Sequence, residues 1–146
     1  MNNKIFNAIW IVAIVVFLAS LTFIMGVSYN YFSGVQIKQL RTEAELASQG
    51  VSMSGMDYLN GLEAKDYRIT WIDADGTVLF DNAVNANEME NHLEREEIKE
   101  ALADGYGESV RYSNTLADKQ LYSAIRLSDG SVLRLSSVQM AGWALL

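Results

Sequence analysis

Residues 5–27, "IFNAIWIVAIVVFLASLTFIMGV", contain no charged side chain over 23 consecutive positions. As a helix, at about 1.5 Å per residue, the run is roughly 34 Å long. That length crosses a hydrocarbon core of about 30 Å with slight tilt. A cleaved signal peptide has an apolar run of about 7–15 residues followed by a small-residue site, whereas this run is longer and no such site follows it. An uncleaved transmembrane helix is therefore expected at 5–27. Trp10 and the pair Tyr29 and Tyr31 lie near its ends, where interfacial aromatics belong. Residues 1–4 form a short tail carrying Lys4 and the terminal amine, while Lys38 and Arg41 lie well beyond the other end. The positive-inside bias then places the tail in the cytoplasm and the remainder outside the cell.

Half of the 146 residues are apolar. Beyond the first segment they provide for one domain with a single modest core. The absence of cysteine excludes disulfides, thiolate metal sites and cysteine nucleophiles. All 18 acidic residues follow residue 27, against all but one of the 11 lysines and arginines. Nucleic acid needs a basic face, so an acidic domain of this kind is not a nucleic-acid binder. It is equally ill suited to lie on anionic lipid.

Residues 34–62 read as a helix in which Ile37, Leu40, Ala44, Ala47 and Val51 keep a 3-4-3-4 spacing. Gly50 and Gly55 weaken that helix, and a bend is expected within 52–55. The stripe has two readings of equal standing: packing on the chain's own sheet, or the seam of a parallel homodimer.

The pattern then changes to period two. "YRITWID" alternates Tyr67, Ile69 and Trp71 with Arg68, Thr70 and Ile72, as a strand with one wetter face does. Asp75-Gly76 supplies a two-residue turn with positive φ, and "TVLFD" returns as its partner. After a loop at 82–87, Asn87 and Glu90 resemble a capping box that opens a helix over 88–103. That helix carries Met89, Leu93, Ile98, Ala101 and Leu102 and is stopped by Asp104-Gly105. Three strands follow, "ESVRYS", "QLYSAIRL" and "SVLRLSSV", the last two joined by a second Asp-Gly. The expected fold is α+β, a transmembrane helix followed by a long helix and an antiparallel sheet. Residues 140–146, "MAGWALL", turn apolar again, as the beginning of a second spanning helix would.

Two features suggest chemistry. "DADGT", with Asp73 and Asp75, resembles the nucleophile loop of the haloacid dehalogenase superfamily, where one Asp attacks phosphorus and the second moves a proton. That chemistry needs a buried parallel strand with a nearly continuous apolar run, and "YRITWID" alternates. No further oxygen ligands stand at calcium-loop spacing, so a hairpin is the expected role and a phosphatase the lesser alternative. The single histidine, His92 in "HLEREE", departs from the His-Glu-Leu-Arg-Thr-Pro phosphoacceptor box in order and in lacking proline. A structural or solvent-facing role on a short helix is expected for it.

The order of "RITWIDADGTVLFDN", "MENHLEREEIKEALADGYGESVRYSNTL" and "LYSAIRL" resembles the extracytoplasmic sensor region of phosphate-regulon-type sensor histidine kinases over about residues 67–137. Glu96 stands where that family often has proline. The resemblance implies a PAS-like (single Cache) sensor domain over 28–139, between two membrane helices, in a homodimer. It also implies a kinase core that would phosphorylate a response regulator and that this sequence does not contain. The chain is thus expected to be a fragment that senses and holds no catalytic residue, cofactor or metal. Its signal would be a small ligand or a partner membrane protein. A chemoreceptor or a diguanylate cyclase could use the same kind of sensor. In PAS-like domains a ligand lies on one sheet face beneath the helical segment. Arg111, Tyr112 and Tyr122 are the candidates here, the arginine for an anionic group and the tyrosines as walls. The competing reading makes the tyrosines core and pairs Arg111 with an acidic neighbour.

Overall fold

The computed structural model describes residues 3–63, 66–112 and 119–139. The apolar close at 140–146 and the first two residues of the tail lie outside them. The chain divides into two units, Met1–Gln36 and Ile37–Leu146. Helix α1, Asn3–Gly61, runs through the described part of the first and into the second.

In the first unit the apolar side chains stand fully outward, from Ile5 to Phe32. Among the described residues this helix alone is long and apolar enough to cross a membrane. The two hydroxyls of the uncharged run are satisfied within the helix: Ser20 Oγ donates to the Val16 carbonyl at 2.8 Å and Thr22 Oγ1 to that of Leu18 at 2.9 Å. No polar group on them is therefore left to face hydrocarbon unpaired.

In the second unit α1 bends at Gly55, where φ is 55° and ψ −130°, a conformation that favours glycine. The bend falls where the two glycines predict it. Before it, Leu40, Ala44, Ala47 and Val51 are buried, and beyond it so is Leu59. All five join one cluster with Ile69, Leu121, Leu133 and Leu135 of the sheet, and Ile37 is half-buried against it. The 3-4-3-4 stripe is thus core of this chain. As a homodimer seam it is corrected, because the sheet already occupies its face.

Five strands follow: β1 Arg68–Ile72, β2 Val78–Asp81, β3 Tyr106–Tyr112, β4 Lys119–Arg126 and β5 Val132–Gln139. They form one sheet in the order β2-β1-β5-β4-β3, antiparallel at every pair. Alternation sends Ile69, Leu121, Leu133 and Leu135 to the face under α1. It sends Ile72, Val78, Ala124 and Val132 to the opposite face, where Ile98 and Ala101 of α2, Glu96–Asp104, cover them. On the first face Arg41 lies over the Tyr106 ring, 4.1 Å from its centre, and joins α1 to the edge strand β3.

The segment expected as a helix over 88–103 divides into a 3-10 turn, Ala86–Glu88, an irregular stretch, and α2. Asn85 is the cap in place of Asn87, its side chain accepting the Asn87 N–H at 3.1 Å. Asn91 then bonds in two directions, Oδ1 to the Leu93 N–H at 2.8 Å and Nδ2 to the Asp75 carbonyl at 2.9 Å. Such side-chain bonds to backbone compete with a helix, and here they tie the stretch to the β1–β2 turn. Leu93 is consequently exposed. At its other end α2 stops at Gly105, left-handed at φ 88°, whose N–H reaches the Ala101 carbonyl.

The β1–β2 turn is also longer than a two-residue link. The Gly76 N–H closes on the Asp73 carbonyl at 2.9 Å and the Asp73 N–H on that of Thr77 at 2.8 Å, with φ of 88° at Gly76. The His92 N–H donates to the Gly76 carbonyl at 2.8 Å. A side chain at Gly76 would meet the Leu93 nitrogen and Cβ at 2.6 Å.

Candidate functional site

The sheet face beneath α2 carries apolar packing at one end and charge at the other. The charge arises from alternation. Strand positions that face α2 include Ser109 and Arg111 on β3, Tyr122 on β4, Arg134 on β5, and Arg68 and Thr70 on β1. On α2 the buried side is Glu97, Ile98 and Ala101, so a carboxylate stands on the stripe that meets the sheet.

Glu97 is wholly buried. Its Oε2 accepts from Ser109 Oγ at 2.7 Å and from Arg111 Nη2, and its Oε1 from Arg134 Nη1 at 3.1 Å. Arg134 Nη2 donates to Thr70 Oγ1 at 3.2 Å, and Thr70 donates onward to Asp81 Oδ2 at 2.8 Å. Arg68 Nε spans both oxygens of Asp81 at 3.1 and 3.0 Å. The result is a connected series of charge-assisted bonds across four strands and a helix. Arg134 Nε is buried and has no partner among the described residues. The Tyr122 ring lies beside both cations, 4.2 Å from Arg111 and 5.2 Å from Arg134.

Of the residues expected to form the pocket, Arg111 and Tyr122 therefore do meet. Tyr112 does not join them, because it is next to Arg111 on the strand and is largely exposed at the position opposite Lys119. Arg111 pairs with an acidic neighbour, as the competing reading had it. Glu97 and Arg134, which hold the arrangement together, were not among the expected residues. Their local signals are a glutamate four residues before Ala101 on the buried face of α2, and an arginine two residues after Val132 on an inward-facing strand.

The electrostatics follow from this geometry. Burial pushes the Glu97 carboxyl up, but the Ser109 hydroxyl, a backbone N–H and the two guanidinium groups outweigh it and hold it below its ordinary value. At Asp81 burial is likewise outweighed, by the Ala83 and Val84 N–H groups, Thr70 and Arg68. Burial pulls Arg134 down against the opposing Glu97. His92 sits in the irregular stretch, not on a helix, and is only 5% exposed. Burial, seconded by the Arg134 and Arg95 charges, lowers its pKa, while the Glu90 carbonyl at 2.7 Å from Nδ1 opposes. His92 is thus a structural residue.

These directions fix a pH dependence. A histidine whose folded pKa is depressed contributes stability that is complete above its unfolded value of about 6.5 and is lost as pH falls toward the folded value. The depressed carboxylates Glu97 and Asp81 contribute stability that is complete above about 4.5 and is lost below it. Urea midpoints followed by far-UV circular dichroism should be flat above about pH 7 and fall in two stages with acid. His92→Gln should remove the first stage only. A midpoint that rises on acidification would contradict this assignment.

Asp73 and Asp75 are exposed at the hairpin tip. Asp73 Oδ1 accepts from the Ala74 N–H at 2.7 Å and Asp75 Oδ1 from the Thr77 N–H at 2.9 Å. Both serve the turn, and the sheet that bears them is antiparallel throughout, so the parallel-strand setting of a dehalogenase-type phosphatase is not met. Among the described residues no three His, Cys, Asp or Glu side chains converge as metal ligands would. No protein-family model matches the chain, and no curated protein matches it.

Proposed function

We propose that the chain is the extracytoplasmic signal-sensing and dimerising region of a membrane-bound sensor histidine kinase whose kinase core lies outside this sequence. Support comes first from the ordered motifs over 67–137. A five-stranded antiparallel sheet with its helical segment inserted after β2 fits a PAS-like (single Cache) domain. The observation that carries the reading is α1: one element, Asn3–Gly61, holds both the apolar run and the helix that packs on the sensor sheet. A chain with that element has a route by which a change in the domain reaches the bilayer.

On this reading Glu97 stands where an anionic ligand would stand, between Arg111 and Arg134. The resting domain pairs both cations with its own carboxylate. A signal, either a small anion or a partner membrane protein, acts by favouring an arrangement in which α2 and its carboxylate are displaced. It thereby shifts a population of two states. The output, phosphorylation of a response regulator, belongs to the missing core.

The topology has a direct test. With residues 5–27 spanning the membrane and the domain outside, a cysteine at Ser28 should be labelled in intact cells by an impermeant thiol reagent. A cysteine at Asn3 should be labelled only after lysis. The reverse pattern would place the domain inside the cell and remove the reading.

A further inference from the structure

The bend of α1 leaves a cleft of about 240 Å³ between its two arms, the link into β1 and the sheet. Ala47, Ile69 and Leu135, all buried in the main cluster, form the floor, and the exposed Leu46 stands at the mouth. The half-buried rings of Tyr58 and Tyr67 are its walls. Both rings are held in place. Tyr58 lies so close to Gly50 that a side chain there would strike it, and the Tyr67 hydroxyl accepts from Gln39 Nε2 at 3.3 Å. Among the described residues every charged side chain that lines the cleft is acidic: Glu43, half-buried, and Glu63 and Asp66, exposed. None of the three forms an ion pair with a described residue, whereas Glu97 on the other face of the sheet is fully paired.

We infer that this cleft binds a small organic cation, an ammonium group on a short apolar body. Charge complementarity selects the occupant, since an anion would meet three carboxylates of like charge. The floor side chains offer no acceptor for the three donors of an ammonium. The apolar body therefore lies on the floor between the tyrosine rings, where its burial supplies the affinity. The ammonium stays at the mouth beside the carboxylates and the ring faces. A metal ion is a poorer occupant, because these carboxylates do not converge as ligands would and the apolar floor gives it nothing. The volume sets the size: at about 30 Å³ per water it holds roughly eight waters, so the ligand has a similar number of heavy atoms. The site is separate from the Glu97 cluster, and it stands whether or not the chain serves a kinase.

The test is calorimetric titration of the full chain in lipid nanodiscs at pH 7, with empty nanodiscs as the blank. Three probes share one apolar body: phenethylamine, a cation; 2-phenylethanol, neutral; and 3-phenylpropanoate, an anion. Phenethylamine should bind once per chain, the alcohol roughly fivefold more weakly, and the anion not at all. Glu43→Gln with Asp66→Asn should weaken phenethylamine roughly fivefold and leave the alcohol unchanged. Leu46→Asn, at an exposed position that spares the fold, should weaken both. Glu88→Gln with Glu96→Gln removes the same charge from exposed positions outside the cleft and should change neither. No binding of phenethylamine above the blank would overturn the site. Equal affinity for amine and alcohol, or equal weakening by the two double variants, would overturn the role of the carboxylates and with it the inference.

Discussion

Replacing Glu97 by alanine is expected to destabilise the folded domain by about 3–5 kcal/mol, measured as the loss in urea unfolding free energy. The magnitude follows from what the carboxylate leaves behind. Arg134 is almost wholly buried and already has one unpartnered nitrogen. Without Glu97 it keeps, among the described residues, only Thr70 as a hydrogen-bond acceptor. Arg111, a third exposed on its side chain, can turn toward water, so most of the cost falls on Arg134. A buried ion pair is weak evidence of net stabilisation, since an apolar set of similar volume often does as well. The double variant Glu97→Leu with Arg134→Met should therefore recover most of the loss. A Glu97→Ala change that costs under about 1 kcal/mol would mean that water or another acceptor reaches Arg134.

Leu40→Ala should cost about 2–5 kcal/mol, because a side chain 1% exposed in the main cluster leaves a cavity. Leu46→Ala, six residues on, should change stability by no more than about 0.5 kcal/mol in the monomer. The contrast separates the two faces of α1. Equal costs at the two positions would mean that the helix packs on both sides within one chain.

That pair of leucines also marks the limit of reading periodicity. The 3-4-3-4 stripe from Ile37 to Val51 was visible in the sequence, but spacing does not say what lies against it. A sheet of the same chain and a second helix ask for the same residues. The strands were legible because period two is carried by each strand alone, from Arg68–Ile72 to Val132–Gln139. Gly55 and Gly105 were legible because backbone with positive φ selects glycine locally. The helix over 88–103 was overread. Met89 and Leu93 have helical spacing with Ile98 and Ala101, yet Asn85 and Asn91 spend their side chains on backbone groups and hold the first half irregular. The charged cluster was legible only at Arg111. Its partners Glu97 and Arg134 are 37 residues apart and meet only through the sheet order, which no local pattern contains.

The central claim is that this domain sets the activity of a kinase through α1. The most direct measurement joins residues 1–146 to a histidine-kinase core and follows autophosphorylation in membrane vesicles. Arg111→Gln, which loosens the Glu97 cluster at its most exposed member, should change the rate several-fold relative to the unaltered chain while leaving membrane insertion intact. Identical rates for the two, with both folded and inserted to the same extent, would contradict the account.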